Sequence, residues 1–219
     1  MKIKKTNIPF PALSIDDFIP SSALVRAAAE SFENMPDKDW VKYNNSTGQV
    51  QYCSKVPRLS TPSSLAVLDY ISTYFNPSEY FKDQEVRCFP DLSHYGGGMM
   101  LTPNKNGEGG HLGLHVDASV HGIHKGWKRE YSAVLCVSEE YDETFDLIIH
   151  DGKETATRLP YKFNRLNVFK CSEDSWHGVK PITAGMSRKT LGVMYWSKIP
   201  AQEIGIPRTK AKFNHDIKL

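Results

Sequence analysis

The 219-residue sequence has only four cysteines, Cys53, Cys88, Cys136 and Cys171, and no two of them form a Cys-x-x-Cys pair. Their dispersal excludes a zinc knuckle. A chain this long also needs no disulfide framework to hold a core, so the four read as reduced, mostly buried thiols. No apolar run approaches the ~20 residues that a bilayer crossing needs, which excludes a helical membrane partner. The basic start, Met1 to Lys5, is interrupted by Pro9 and Pro11 before any apolar run of signal length. The default location is therefore a reducing cytoplasm. An excess of one charge is lacking too: 27 basic residues stand against 25 acidic ones, for a formal net charge of +2. No electrostatic footprint demands a nucleic-acid partner. Internal repeats and low-complexity linkers are also missing.

What is present suits one packed domain with a sizeable core, because 40% of residues are apolar and 11% aromatic. Ser21 and Ser22 can cap a helix running to about Met35, with Leu24, Ala28 and Phe32 on one face. Thr61-Pro62 opens a second helix whose apolar face is Leu65, Leu68, Ile71 and Phe75, and Asn76-Pro77 ends it. Between them, polar Asn44 to Arg58 reads as a surface loop. Beyond about Glu85 the texture changes to short apolar or alternating runs: Val86–Phe89, Met99–Leu101, His111–Val116, Tyr131–Val137, Phe145–His150, Thr155–Leu159, Arg165–Lys170 and Lys189–Trp196. Glycine clusters such as Gly96-Gly97-Gly98 punctuate them. Many short strands at this spacing predict a mainly β fold with flanking helices, a jelly-roll or cupin-like double-stranded β-helix with the N-terminal helices packed on one sheet. The expected division is a helical part over about 1–84, a jelly-roll core over about 85–196, and a basic, extended or partly disordered tail over 197–219.

The chemistry concentrates in three places. His115 and Asp117 lie two apart on an expected strand, so their side chains share a face and can converge on one point. A second histidine, His177, stands just before a later strand. Two imidazoles and one carboxylate, with other positions open, make the facial triad of non-haem Fe(II) oxygenases. Arg188 opens the final strand, and Thr190 shares its face. A buried arginine is costly unless it meets an anion, and its planar fork suits a carboxylate. Each feature alone has a plain reading: a histidine satisfied in the core, or an arginine at an exposed strand edge. A hydrolytic zinc site built from His115, Asp117 and His121 is a competing arrangement that leaves His177 and Arg188 unexplained. His121 and His124 are expected on a loop at the pocket mouth, where Arg129 faces substrate or is a plain surface cation. Trp176 is expected to pack.

The order and flanking residues of these motifs resemble the prolyl-4-hydroxylase-like branch of the 2-oxoglutarate/Fe(II)-dependent dioxygenase superfamily. The resemblance spans roughly Pro9 to Trp196. It is carried by Ile8–Pro20, Tyr95–Thr102, Gly109-Gly110, Leu114–Ser119, Lys128–Leu135, Asn164–Phe169, His177–Pro181 and the strand from Arg188. The sequence departs from the family where a tyrosine often reaches the far carboxylate of the co-substrate; Cys136 stands there. Thr102 stands where an aromatic residue commonly precedes the first ligand hairpin, and Thr144–Leu147 replaces the usual Gly-Gly-x-Leu.

The resemblance implies Fe(II) on His115, Asp117 and His177, with 2-oxoglutarate as co-substrate. Arg188 would clamp its distal carboxylate, with Thr190 and Thr102 contributing. Ascorbate is an optional further cofactor. It also implies hydroxylation of an unactivated C–H bond by O2, with succinate and CO2 released, on a peptidyl and foremost a prolyl residue. A peptide or protein is then the expected partner. A flipped nucleobase is the alternative substrate, and a non-catalytic jelly-roll module that keeps the iron site is the alternative class. Substrate specificity is expected in the loops Asn44–Arg58 and Asn104–Gly110.

Overall fold

A computed structural model describes residues 2–45, 49–55, 61–82, 86–92, 97–199 and 208–219. In chain order the elements are β1 (Ile3–Thr6), β2 (Ala12–Ile15), α1 (Ser22–Glu30), β3 (Trp40–Asn45), β4 (Gln49–Ser54), α2 (Pro62–Tyr74), α3 (Pro77–Phe81), β5 (Phe89–Asp91), β6 (Gly97–Pro103), β7 (His111–Val116), β8 (Trp127–Cys136), β9 (Leu147–His150), β10 (Ala156–Leu159), β11 (Leu166–Lys170), β12 (Trp176–Val179), β13 (Ser187–Lys198) and β14 (Lys212–Phe213). Their pairing runs β1-β2-β11-β8-β13-β6-β4-β7-β12-β9-β10, antiparallel throughout. The sheet curls on itself as the double-stranded β-helix expected from the sequence. Strand β4 spans the bend: Tyr52 and Cys53 pair with β6, while Gln49 and Val50 pair with β7.

Strand alternation builds two cores from one sheet. Ala133 and Leu135 of β8, Leu191 and Val193 of β13, and Leu166 and Val168 of β11 face outward. There they meet Val25 and Ala28 of α1 and Val67, Leu68 and Ile71 of α2. Cys136 and Phe169 face inward and pack on Leu147, Ile149, Leu159 and Val179 of the opposing layer. The helices are thus a backing for one layer, and the space between layers is left for the site. The Tyr195 hydroxyl fastens that backing by reaching the carbonyls of Ile71 and Phe75 at 3.2 and 3.0 Å. Among the described residues no helix is long and apolar enough to cross a membrane.

Several elements differ from the sequence-based expectation. Helix α1 is capped by Ser21, as expected, but ends at Glu30 and not near Met35. The Ser31 hydroxyl bonds to the Ala28 carbonyl at 2.7 Å, a local bond that competes with the helical ladder. Residues 44–58 do not form a loop throughout: β3 and β4 make a hairpin there, while 46–48 and 56–58 lie outside the described residues. The hairpin is hidden by its polar composition. Gln51 and Ser54 are buried, and the Ser54 hydroxyl accepts the Met99 N–H at 3.1 Å. Strand β5 begins at Phe89 and not Val86, and Phe145 ends a 3-10 turn instead of opening a strand. Gly97 and Gly98 lie within β6; a Cβ on Gly97 would stand 2.0 Å from the Gly192 carbonyl oxygen, so glycine permits the close strand approach. The segment from Ser197 is not simply a tail. Ser197 and Lys198 close β13, and β14 returns to the sheet beside β7. Residues 200–207 lie outside the described residues.

Asn164 joins the opening of the chain to the core. It holds a left-handed φ of 57°, which asparagine tolerates better than most residues. Its amide accepts the Ile19 N–H at 2.9 Å and donates to the Ile19 carbonyl at 2.8 Å. Replacing Asn164 with alanine strands both main-chain groups in a buried setting. We expect a loss of about 2–4 kcal/mol in urea unfolding, read as a lower midpoint at unchanged slope.

Candidate metal centre

Strands β7 and β12 are antiparallel neighbours, and His115 pairs directly with His177. Directly paired residues project to the same face, so the two imidazoles lie side by side, with ring centroids 4.2 Å apart. Asp117, just past the end of β7, brings its carboxylate to the same point. Its Oδ1 is 3.7 Å from His115 Nε2 and its Oδ2 is 3.9 Å from His177 Nε2. These separations are too long for hydrogen bonds. One donor atom from each residue lies within 4.8 Å of the others, and the group could hold a metal ion.

The surroundings prepare all three for that task. His115 Nδ1 lies 3.0 Å from the Gly113 carbonyl and His177 Nδ1 lies 2.9 Å from the Ser175 carbonyl. A carbonyl only accepts, so each Nδ1 carries the proton and each Nε2 presents its lone pair inward. Burial, then the neighbouring His115, pushes the His177 pKa down to about 4, so its imidazole is neutral near pH 7 and ready to ligate. Burial opposes the charge on Asp117, but Arg129 and the two imidazoles outweigh it and hold the carboxyl well below the usual range. Two donors fix Asp117 Oδ2: Arg129 at 3.0 Å and the Ser132 hydroxyl at 2.8 Å. Cys171 Sγ lies 3.4 Å behind Ser132, and burial pushes that thiol up to about 12, so it stays protonated and able to donate.

A second polar cluster occupies the same inner face. Arg188 is buried on β13 beside Thr190, and Thr102 of β6 is its direct cross-strand partner. The Arg188 Nε–H donates to the Phe145 carbonyl at 2.8 Å, and one terminal nitrogen lies 3.5 Å from Thr190 Oγ1. No carboxylate pairs with this guanidinium among the described residues. The Thr102 hydroxyl is buried with no hydrogen-bond partner among them. An unpaired buried cation beside an unsatisfied hydroxyl is the donor set that a small carboxylate would complete. Cys136 is Thr190's cross-strand neighbour. Burial pushes its thiol up to about 11 against the pull of Arg188, so it offers a neutral S–H beside Thr190.

Two expected placements are corrected. His121 is fully buried, with its Nε2 on Asp91 at 3.2 Å and its Nδ1 accepting the Ile123 and His124 N–H groups. Packed against Trp127 and Trp196, it is committed to structure and takes no part in a His115–Asp117–His121 site. Arg129 neither faces outward as a surface cation nor stands free for substrate, because it is spent on Asp117 and stacked over Trp196. The sequence reading missed Ser132, Tyr161 under the Arg188 guanidinium, and Phe213 against His115. Ser132 carried a usable signal: strand alternation from Cys136 puts it on the inner face.

Ser132→Ala removes an uncharged donor while Arg129 keeps the carboxylate ionised. We expect divalent-metal affinity to fall roughly tenfold, measured by Co(II) titration, with the melting temperature of the metal-free chain nearly unchanged.

Residues 99–196 match the sequence model of the 2OG-Fe(II) oxygenase superfamily. No curated protein matches the chain. Among solved structures, a Pseudomonas putida prolyl-4-hydroxylase aligns with a TM-score of 0.60 at 18% identity, covering 86% of this chain and 92% of that one. A Trichoplax adhaerens prolyl hydroxylase, in complex with a hypoxia inducible factor oxygen degradation domain peptide fragment, aligns at 0.59 and 12% identity, covering 85% and 83%. The non-heme alpha ketoglutarate dependent epimerase SnoN from nogalamycin biosynthesis aligns at 0.62 and 11% identity, covering 87% and 81%. These likenesses share the fold across distinct reactions. The matched segment contains both imidazoles, the carboxylate and the buried arginine, and it is similar to the 2OG-Fe(II) oxygenase superfamily.

Proposed function

We propose that this chain hydroxylates an unactivated C–H bond of a peptidyl residue, prolyl foremost, using O2 and 2-oxoglutarate. In this reading His115, Asp117 and His177 hold Fe(II), and Arg188, Thr102 and Thr190 hold the distal carboxylate of 2-oxoglutarate. The observation that carries it is the buried, carboxylate-free guanidinium of Arg188 on the same inner face as the triad. Iron and 2-oxoglutarate together would supply the oxidation of the C–H bond, with succinate and CO2 as co-products.

The chain's own residues supply position and dryness. Each Nδ1 bond fixes an imidazole tautomer. Arg129 and Ser132 fix one oxygen of Asp117 and leave Oδ1 free of a donor from either. The inner core around Phe145, Ile149, Leu159 and Val179 excludes water from the space beneath the site. No residue has to act as general base. The peptide reading is supported by the prolyl hydroxylases among the structures of like fold. SnoN belongs to a different chemistry on that fold, so the test must not presume a peptide.

The decisive experiment measures succinate from 2-oxoglutarate after anaerobically iron-loaded protein is exposed to air. Wild type should turn over slowly alone and faster with proline-containing peptides that gain one oxygen by mass spectrometry. His115→Ala should abolish succinate. Arg188→Ala should need roughly 10- to 100-fold more 2-oxoglutarate, the cost of one lost charge-assisted pair. Iron binding without any turnover, with peptides and nucleic acids both supplied, would instead indicate a non-catalytic module.

A further inference from the structure

The segment Arg208–Leu219 is fastened directly to the strand that carries His115. The Arg208 N–H donates to Ser119 Oγ at 2.9 Å, and its carbonyl accepts the Val120 N–H at 3.1 Å. Its guanidinium reaches the Asp117 main-chain carbonyl at 3.3 Å and Glu173 at 3.0 Å. Further on, β14 adds to the edge of β7 with Lys212 opposite Val116 and Phe213 opposite His115. The Asn214 N–H donates to the Leu114 carbonyl at 2.8 Å. Lys212 lies over the ring of Trp176, the residue beside His177, at 5.5 Å. Leu219 packs so close to Gly178 that a Cβ there would meet it at 2.4 Å. The segment therefore grips the chain on either side of both imidazoles.

Its one phenylalanine falls on a ligand candidate. The Phe213 ring stacks on the His115 imidazole, with centroids 5.2 Å apart and planes inclined by 25°. Phe169 lies against His177 in a parallel role, at 4.4 Å. The Nδ1 bond to Gly113 restrains His115 at one atom only, and the imidazole can still tilt about that anchor. A flat ring against its face removes the tilt and keeps water from that side. Docking is not free, because Arg208 buries Nε and a terminal nitrogen that have no hydrogen-bond partner among the described residues. A segment kept only to cover a strand edge gains little from two ladder residues at that cost.

We propose that Phe213 is a positioning residue, acting through His115 to set the plane of that imidazole for tight divalent-metal binding. The proposal rests on the ligand assignment made above. It makes Arg208–Leu219 a built part of the centre although it lies outside the superfamily-matched residues.

The test uses the full chain, freed of metal, with Phe213→Tyr, Phe213→Leu, Phe213→Ala and His115→Ala. Co(II) is titrated anaerobically and followed by its visible absorption bands, and the melting temperature of each metal-free protein is recorded. Phe213→Tyr keeps the flat ring and should bind within about twofold of wild type, whereas Phe213→Ala should bind roughly tenfold more weakly, with altered Co(II) bands. Wild-type affinity and wild-type bands in Phe213→Ala overturn the proposal. Should Phe213→Ala melt early, Phe213→Leu decides, since it keeps apolar bulk without the flat face: weaker Co(II) binding at native melting temperature supports the role, and native binding overturns it. His115→Ala separates the two levels. Unweakened Co(II) binding there removes the ligand assignment and this role with it. Lost binding there, with native binding in Phe213→Ala, removes only the role of Phe213.

Discussion

The registered pairing of β7 with β12 is the constraint on which the rest depends. It places His115 opposite His177. A shift of one residue would send one imidazole to the outer face. The pairing is held by chain on both flanks, with β9 on β12 and with β4 and β14 sharing the far edge of β7. An irregularity between His177 and Val179 lets the ladder continue toward Leu112 without disturbing the pair at the site. The facing of the two imidazoles is therefore a property of sheet register more than of any loop.

Charge is managed by the same sheet. Asp117 is largely withdrawn from water but not fully buried, and desolvation alone would favour its protonated form. Arg129, at the opening of β8, prevents that, and its planar head lies over the ring of Trp196 of β13. Arg188 is different in kind. Its hydrogen bonds are to a main-chain carbonyl and a hydroxyl, neither of which cancels its charge, and burial lowers its pKa. One arginine is neutralised by the chain, while the other keeps a charge that no carboxylate among the described residues pairs, and that contrast is the ground for proposing Arg188 as the anion-binding residue.

How much of this was legible follows from which forces act locally. The His115–Asp117 pair and the Arg188–Thr190 pair could be read because a strand's period of two is a local rule. Their meeting with His177 is long-range, and it entered through motif order and family resemblance, not through spacing alone. The β3–β4 hairpin stayed hidden because its buried residues include Gln51 and Ser54, whose polar atoms find partners within the fold. Composition cannot report a hydrogen bond made to a distant strand. The same limit concealed Arg129, whose partner lies twelve residues earlier across a turn, and His121, whose buried partner Asp91 lies on another strand.

The segment around β14 shows where pattern reading fails most instructively. Lys210, Lys212 and Lys218 make it look like a solvated basic tail. Its one apolar ring in that stretch, Phe213, is nonetheless the residue that lands on His115. Alternation decides the outcome: Lys212 projects over Trp176 on one face, so Phe213 must project to the other, where the imidazole lies. A two-residue strand with a cation outward and a ring inward is amphipathic at the smallest possible scale, too short to register as a periodic pattern. Its consequence is that the wall of the site on the His115 side is assigned to the part of the chain with the weakest sequence signal, while the opposite wall, Phe169 against His177, is built into the core.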